Sequence, residues 1–341
     1  MRGGCVRGHD RILISCRGPG PTPAPTRHLG DKHSINPLSP AVVVARMADV
    51  SSRLREIARE NAEIVAAGAY RTRSGRQISL AAAVAEAKAG TRIYGPKPVV
   101  PGDKLTARTD RTAVEVTGES STVAARRLAT ADPEPPGASS IAVLNFASAR
   151  NPGGGYVRGA KAQEEALCRA SALYETLLLA PEYYEVHRAG RSTFYTDRVI
   201  HSPGVPVFRD DRGELLETPF RVGFLTSPAP NAGTIRRQEP ERTHEIPAAL
   251  ARRAERVLEV ATLHGYEQLV LGAWGCGVFQ NDPTQVAQAF RGLLAGRFAG
   301  VFERVVFAVL DRAPGPRQAF ERVFGVAGQD GVPSGGGYSQ P

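Results

Sequence analysis

The chain of 341 residues has few cysteines, and this scarcity excludes two classes of protein. Of its four cysteines, Cys5 and Cys16 lie near the N-terminus, whereas Cys168 and Cys276 are far apart in the body of the chain. No CxxC, HExxH or Cys/His cluster at zinc-binding spacing occurs, so structural zinc and a disulfide-stabilised scaffold are excluded. We expect reduced thiols and a cytoplasmic location.

Long apolar runs are missing as well. No run approaches the roughly 18 residues of a membrane-spanning helix, so we expect no membrane partner. The first 16 residues are basic, but their apolar stretch is broken and shorter than the run of about 7–15 residues that a signal peptide needs. The sequence therefore argues against secretion.

The net charge of +9 is unevenly distributed. Residues 1–46 contain seven Lys or Arg and two Asp, so this segment carries +5 and the other 295 residues carry only +4. The rest of the chain shows no basic stripe interleaved with aromatic residues and no helix-turn-helix or OB pattern. We therefore expect no direct DNA binding.

The two ends of the chain differ in composition from its middle. Residues 1–46 contain six Pro and six Gly without a sustained period, which predicts a disordered leader. Ordered-looking sequence starts after Met47, and we hypothesise that translation starts there. Residues 326–341 predict a flexible tail. The predicted catalytic domain spans residues 47–325, with a helical extension over 47–110 and a core over 111–325.

Strands and helices alternate after about residue 110, which predicts an α/β fold with a mixed, largely parallel central sheet flanked by helices. The predicted strands are 77–80, 112–117, 141–146, 194–201, 220–227, 268–274 and 304–310. The predicted helices are 51–68, 81–89, 121–129, 164–179, 247–264, 283–294 and 316–324. In such sheets, ligands bind at the carboxyl ends of the strands.

A glycine-rich loop leads from the strand 141–146 into a helix that opens with two acids. Its candidate site residues are Asn145, Gly153, Gly154, Gly155, Gln163, Glu164 and Glu165. Consecutive glycines let the backbone approach a ligand, and a helix N-terminus favours anions such as phosphate. Taken separately, the glycines are explained by a solvated turn and the acids by an ordinary first helical turn.

The spacing of the two motifs is more specific than either motif. GGG is followed by seven residues and then by QEE, directly after a strand that ends near Asn145. In this the chain resembles the microbial-type poly(ADP-ribose) glycohydrolases, whose motif is GGG, six to eight residues, then QEE. The flanking NFASARNP is similar too, and the resemblance covers about residues 50–325. It implies a macrodomain-like three-layer fold and poly(ADP-ribose) or ADP-ribose as the ligand.

A second glycine-rich loop, GAWGCGVFQND, covers residues 272–282. It contains neither a Walker A sequence nor GxGxxG, and Asp282 is placed to cap the helix that follows. On its own the loop is explained by a simple connector, although such a nest of N–H groups suits a pyrophosphate. The resemblance places Gly275, Cys276, Gly277 and Val278 against the diphosphate and Phe279 against the distal ribose. Cys276 then has no nucleophilic role.

The resemblance implies that the enzyme cleaves ribose–ribose O-glycosidic bonds, with Glu165 as general acid and base and Glu164 orienting the ribose. Adjacent helical residues point about 100° apart, so the two acids cannot flank the sugar from opposite sides. The helix N-terminus favours ionised Glu165, whereas burial and nearby negative charge favour its protonated form. We expect no metal and no cofactor.

Other roles stay open from the sequence. Gln163 is expected to fix the substrate or the loop, and Asn145 to hold a ribose, the helix start or its own backbone. The aromatic platform for adenine is one of Tyr195, Phe224 and Phe302. Four histidines show no metal-ligand spacing and are interpreted as surface or core residues: His187, His201, His244 and His264.

Alternatives to polymer hydrolysis are an ADP-ribose reader without catalysis and a hydrolase of another ADP-ribosyl linkage. The vicinal acids argue against a pure reader, which needs none. The motif does not separate one ADP-ribosyl linkage from another, nor cleavage at the chain end from cleavage within the chain. ADP-ribosylated proteins are the expected partners, and a monomer is the default expectation.

Overall fold

Strands and helices alternate through most of the described structure. The computed structural model describes residues 40–99, 105–131, 139–311 and 315–326, with side chains from residue 50 onward. The strands are β1 (Ala69–Arg71), β2 (Gln77–Ser79), β3 (Arg92–Tyr94), β4 (Ala113–Thr117), β5 (Ile141–Phe146), β6 (Val199–Arg209), β7 (Leu215–Ser227), β8 (Gln268–Leu271) and β9 (Arg304–Ala308). The α-helices are α1 (Pro40–Ala67), α2 (Ala81–Gly90), α3 (Ser121–Ala131), α4 (Gln163–Ala170), α5 (Leu173–Leu177), α6 (Pro181–Ala189), α7 (Ala232–Gln238), α8 (Ile246–Leu263), α9 (Pro283–Ala295) and α10 (Gly315–Phe324).

Seven strands form one mixed sheet in the order β3-β6-β7-β5-β8-β9-β4. The pairs β7–β5, β5–β8, β8–β9 and β9–β4 are parallel, whereas β3–β6 and β6–β7 are antiparallel. The predicted mixed, largely parallel sheet is confirmed. Because β5, β7 and β8 run side by side in one direction, the loops that follow them leave the sheet at the same edge.

Both faces of the sheet are covered by helices. Successive residues of a strand point to opposite faces, and β5 shows this directly. Its residues Ala142 and Leu144 belong to a core cluster with α8 and α9, while Ile141 and Val143 belong to a second cluster with α3, α4 and α6. The three-layer macrodomain-like arrangement expected from the sequence is therefore present.

The N-terminal part of the described chain contains helices and also contributes one strand to this sheet. Helix α1 begins at Pro40, so residues 40–46 are helical although the sequence predicts a disordered leader there. Proline suits the first helical position because its missing N–H has no partner to lose. Strands β1 and β2 form a hairpin, and β3 pairs with β6 at the sheet edge. Residues 1–39 and 327–341, in the predicted leader and tail, lie outside the described residues.

The predicted continuous helix 164–179 is wrong, because two short helices, α4 and α5, replace it. Helix α4 ends at Ala170, and Ser171 is extended and forms an isolated bridge with Val207 of β6. The Ser171 hydroxyl accepts from the Leu173 N–H, which starts the next helix in a new direction. Pro181, interpreted as a helix stop, is instead the first residue of α6.

The predicted strand 194–201 is displaced in the structure. It begins at Val199 and continues to Arg209 and so includes Pro203 and Pro206. Proline is unfavourable inside a strand because it has no N–H to donate to a neighbouring strand. A register shift between Ser202 and Val205 accommodates Pro203, whereas Pro206 lies in register opposite Arg221 of β7. Among the described residues, no helix is both long and apolar enough to span a membrane.

Candidate active site

The two predicted loops follow β5 and β8, which are neighbours in the sheet. Contacts join them there. The Ala147 N–H, after β5, donates to the carbonyl oxygen of Ser227, the last residue of β7. The Trp274 Nε1–H, after β8, donates to the same carbonyl at 3.0 Å. The sheet therefore brings together two loops that are more than a hundred residues apart in sequence.

The glycine triplet adopts a backbone that side chains would block. Gly153 and Gly154 have φ values of +62° and +58°, in the left-handed region. A Cβ atom on Gly154 would lie 2.6 Å from Oε1 of Glu165 and 3.1 Å from Oε2 of Glu164. A Cβ atom on Gly153 would lie 2.8 Å from the ring of Tyr174. The triplet is thus held between a tyrosine and the two acids.

Glu164 is buried and bonded through both of its carboxyl oxygens. Oε1 accepts from Nδ2 of Asn145 at 3.2 Å, and Oε2 accepts from the Ser148 N–H at 2.7 Å. Burial raises the pKa of Glu164 to about 8, and the neighbouring charge of Glu165 acts in the same direction. The hydrogen bonds oppose this shift without cancelling it. The Glu164 carboxyl therefore favours its protonated form at neutral pH.

Glu165 is bonded through one oxygen. Its Oε1 accepts from the Gly155 N–H at 2.8 Å, while its buried Oε2 has no hydrogen-bond partner among the described residues. A buried carboxyl oxygen without a partner is costly. Oε2 of Glu165 is the one carboxyl oxygen of Glu164 and Glu165 that no described group holds.

Gln163 and Asn145 link the catalytic helix to β5. Gln163 Oε1 accepts from the Phe146 N–H at 2.9 Å, and Nε2 donates to the carbonyl oxygen of Leu144 at 2.8 Å. Asn145 is fully buried and donates to Glu164 and to Thr226 of β7, with its Oδ1 unpartnered. Gln163 thus joins the start of α4 to the end of β5, and the Asn145 side chain bonds to Glu164 and not to its own backbone.

The second loop presents free backbone donors. Gly275 has a φ of +70°, and Asn281 Nδ2 donates to its carbonyl oxygen at 3.2 Å, which closes the turn. The N–H groups of Gly277 and Val278 form no hydrogen bond within the described part of the chain. Asp282 caps α9 as predicted, by accepting from the Thr284 N–H.

The side chains of this loop differ in exposure. Val278 is 81% exposed, whereas Phe279 and Cys276 are half-buried. Burial raises the pKa of the Cys276 thiol to about 12, so this cysteine is a thiol and not a nucleophilic thiolate at neutral pH.

An aromatic wall connects the second loop to α6, and the sequence does not predict it as a unit. The Tyr195 ring lies 5.9 Å from the Phe279 ring and 5.9 Å from the His187 ring. His187 is buried, accepts from the Thr196 N–H and has its pKa lowered to about 4, mainly by burial. Tyr195 itself has a φ of +58°, unusual for a bulky residue.

The structure reduces the three aromatic candidates for adenine to one. Phe224 and Phe302 are 1% and 0% exposed and belong to the two core clusters, so neither can contact a ligand. Tyr195 is half-buried and faces Phe279. Among the described residues, no group of three or more His, Cys, Asp or Glu side chains is arranged to hold a metal ion.

Comparison with solved structures decides the family. The crystal structure of poly(ADP-ribose) glycohydrolase from Thermomonospora curvata matches with a TM-score of 0.74 and 49% sequence identity, covering 80% of this chain and 100% of that chain. The chain belongs to the microbial-type poly(ADP-ribose) glycohydrolases. The family model of the microbial-type PARG catalytic domain matches residues 58–210, which include the GGG and QEE motifs.

Other glycohydrolase structures match over similar shares of the chain. The Thermomonospora curvata enzyme bound to the inhibitor ADP-HPD is 49% identical, with a TM-score of 0.72 and coverage of 80% of this chain and 99% of that chain. The Deinococcus radiodurans glycohydrolase in complex with ADP-ribose is 48% identical, with a TM-score of 0.64 and coverage of 71% and 96%. No curated protein sequence matches significantly.

Proposed function

We propose that this glycohydrolase cleaves the ribose–ribose O-glycosidic bonds of poly(ADP-ribose) and that Glu165 carries the proton transfers. The unpartnered Oε2 of Glu165 carries this proposal, because a general acid needs an oxygen that no other protein group occupies. Family membership supports the substrate, and the relative from Deinococcus radiodurans binds ADP-ribose. The terminal ADP-ribose unit would lie across the two glycine loops.

In the first step, the bond between the anomeric carbon and the bridging oxygen breaks. Glu165 gives its proton to that oxygen, which leaves as a hydroxyl of the shortened polymer, while the ribose becomes an oxocarbenium-like centre. In the second step, water attacks this carbon and returns one proton to Glu165. The products are ADP-ribose and a polymer one unit shorter, or two polymers if the bond lies within the chain.

Glu164 has a different role because its oxygens are already bonded. Held by Asn145 and Ser148, its carboxyl is fixed in place and can orient the ribose hydroxyls. Its raised pKa favours the uncharged form of Glu164 at neutral pH, so that Glu164 does not add a negative charge opposite the diphosphate. Gly154 allows both acids to lie against the loop.

The remaining binding groups come from the second loop. Free N–H groups at Gly277 and Val278, with Gly275 and Cys276 in the same turn, are suited to diphosphate oxygens. Phe279 and Tyr195 would pack against the distal ribose or the base. We also propose that ADP-ribosylated proteins are the partners and that the enzyme acts as a monomer in the cytoplasm without binding DNA.

Release of ADP-ribose tests the function. Purified protein is incubated with poly(ADP-ribose), and the products are separated by chromatography; wild type is expected to release ADP-ribose and Glu165→Gln is not. A protein carrying a single ADP-ribose on a side chain is assayed beside the polymer. Release from that protein alone would favour the hydrolase of another linkage, and tight ADP-ribose binding without any release would favour the reader.

A further inference from the structure

A group of arginines and one lysine borders the catalytic site without acidic partners. Residues 147–162 contain Arg150, Arg158 and Lys161 and no Asp or Glu. Residues 187–198 contain three arginines and one acid, Asp197, which pairs with Arg253 of α8 at 3.0 Å. None of these six cations forms an ion pair with another residue that the structure describes.

Two of these cations are joined to each other across the site. Nη1 of Arg188, at the end of α6, donates to the backbone oxygen of Arg150 at 2.8 Å. Arg150 lies three residues before Gly153, so this bond ties α6 to the catalytic glycine loop. Because the Arg150 contact uses its backbone, its guanidinium makes no hydrogen bond to another described residue and is exposed, as is the Arg188 side chain.

The arginine pair continues the aromatic wall of the site. His187, next to Arg188, contacts Tyr195, and Tyr195 contacts Phe279 of the second loop. The contacts therefore run from the first loop through α6 to the second loop. Arg150 and Arg188 lie at the opposite end of this line of contacts from Phe279.

The groups proposed to bind the diphosphate at the catalytic site are backbone N–H donors of the second loop. Free ADP-ribose has one diphosphate, whereas the polymer adds one with each unit. We propose that Arg150 and Arg188 form a subsite for the diphosphate of the neighbouring ADP-ribose unit. Arginine suits this ligand because its planar guanidinium binds phosphate oxygens in pairs. This subsite rests on the function proposed above.

Steady-state kinetics on long polymer test the subsite. The Arg188 bond is retained in Arg150→Ala, because it uses the Arg150 backbone oxygen. The loop therefore keeps its position, and the variant tests the guanidinium alone. We expect KM for polymer to rise about fivefold, and about tenfold or more for Arg150→Glu, with kcat within about twofold. The difference shrinks at high salt because the cations are exposed. The Kd for free ADP-ribose, measured by calorimetry, stays unchanged.

Arg73→Ala is the matched control, since it also removes one exposed arginine without an ion pair. It lies in the β1–β2 hairpin, whose Ser74 bonds to Glu217 near the start of β7, whereas the site lies at the end of β7. Its KM for polymer should equal that of the wild type.

Three outcomes would overturn the subsite. The first is an unchanged KM for polymer in Arg150→Glu. The second is a loss of affinity for free ADP-ribose in that variant that equals its loss of affinity for polymer. The third is a competition assay in which a DNA oligonucleotide displaces labelled polymer from Glu165→Gln as effectively as unlabelled polymer does. The last would identify a nucleic-acid surface instead. If the proposed function itself fails, wild type releases no ADP-ribose at all, a result that the arginine variants do not affect.

Discussion

The backbone N–H of Gly155 donates a 2.8 Å hydrogen bond to Oε1 of Glu165, and Oε2 of the same carboxyl has no partner among the described residues. One oxygen is thus positioned by the loop, and the other is left for chemistry. Glu164, the preceding residue, has both oxygens bonded. Two neighbouring glutamates in one helical turn therefore differ in how many of their carboxyl oxygens accept hydrogen bonds.

Replacing Glu165 by Gln should abolish most hydrolysis and preserve ADP-ribose binding. Gln keeps the acceptor for the Gly155 N–H but cannot donate a proton as an acid, and general acid catalysis contributes about 10²–10⁴ in rate. Release of ADP-ribose from polymer should fall at least about a hundredfold, with a Kd within about threefold of wild type. Glu182→Gln, an exposed glutamate in the first turn of α6, is the matched control. Turnover near that of wild type in Glu165→Gln would remove this residue from the mechanism.

Replacing Gly154 by Ala should inactivate the enzyme by moving the acids. The new Cβ would lie 2.6 Å from Oε1 of Glu165, so the carboxyl must shift. Gly75→Ala separates this displacement from backbone strain, because Gly75 also has a positive φ, of +88°, and nothing lies within 4 Å of its Cβ position. Both variants should lose about 1–2 kcal/mol of stability. Only Gly154→Ala should lose activity, and equal loss in both would contradict this explanation.

Replacing Glu164 by Gln should remove the loss of stability that the wild type shows toward alkaline pH. The folded pKa of about 8 lies above the ordinary value of 4.5, so the folded state binds the extra proton between these values. Wild type therefore loses stability from this group as the pH rises from about 4.5 through 8, and Gln does not. Both carboxyl oxygens accept from N–H donors, so the Gln amide nitrogen faces a donor and the variant should be less stable than wild type at pH 5. Thermal melts at pH 5 and pH 9 should show this deficit shrinking at pH 9. If the difference in stability between wild type and variant is the same at pH 5 and pH 9, the buried carboxyl does not hold the extra proton.

Replacing Tyr195 by Ala should weaken binding of ADP-ribose, whereas Phe should retain it. The ring, and not the hydroxyl, faces Phe279, and one base–aromatic contact contributes about 1–3 kcal/mol. Calorimetry should give a Kd about tenfold higher for Tyr195→Ala. Because Tyr195 has a positive φ, Tyr195→Phe keeps the same backbone cost and serves as the control. Unchanged affinity in both variants would place the ligand elsewhere.

Much of the site could be predicted because its residues are close together in sequence and follow a strand. The strand β5 has the bounds that the apolar run 141–146 predicts, and the QEE helix starts at Gln163 as expected. The spacing of the glycines and the acids predicts the site, because the positions of both groups depend on local backbone geometry. Asp282 was predictable for the same reason, because a cap is a local hydrogen bond.

The aromatic wall could not be predicted, because it depends on contacts that are distant in sequence. Tyr195 meets Phe279 only after α6 and the loop beyond it have turned back toward the sheet. That turn begins at Ser171, where pairing with Val207 overrides a helical pattern that continues through residue 179. Ser148 was missed for a different reason, since a backbone N–H donor leaves no signature in the side-chain sequence.

The pairing of β5 with β8 has a consequence for how the chain is made. Ile141 lies opposite Gln268, so the central strand of the sheet waits for more than a hundred further residues before its second neighbour is synthesised. Until then one edge of an almost wholly apolar strand is open, and open strand edges favour pairing with other chains. A truncated chain that ends before β8 therefore lacks the second glycine-rich loop and has an unpaired strand edge, and such products should aggregate rather than persist as partial enzymes.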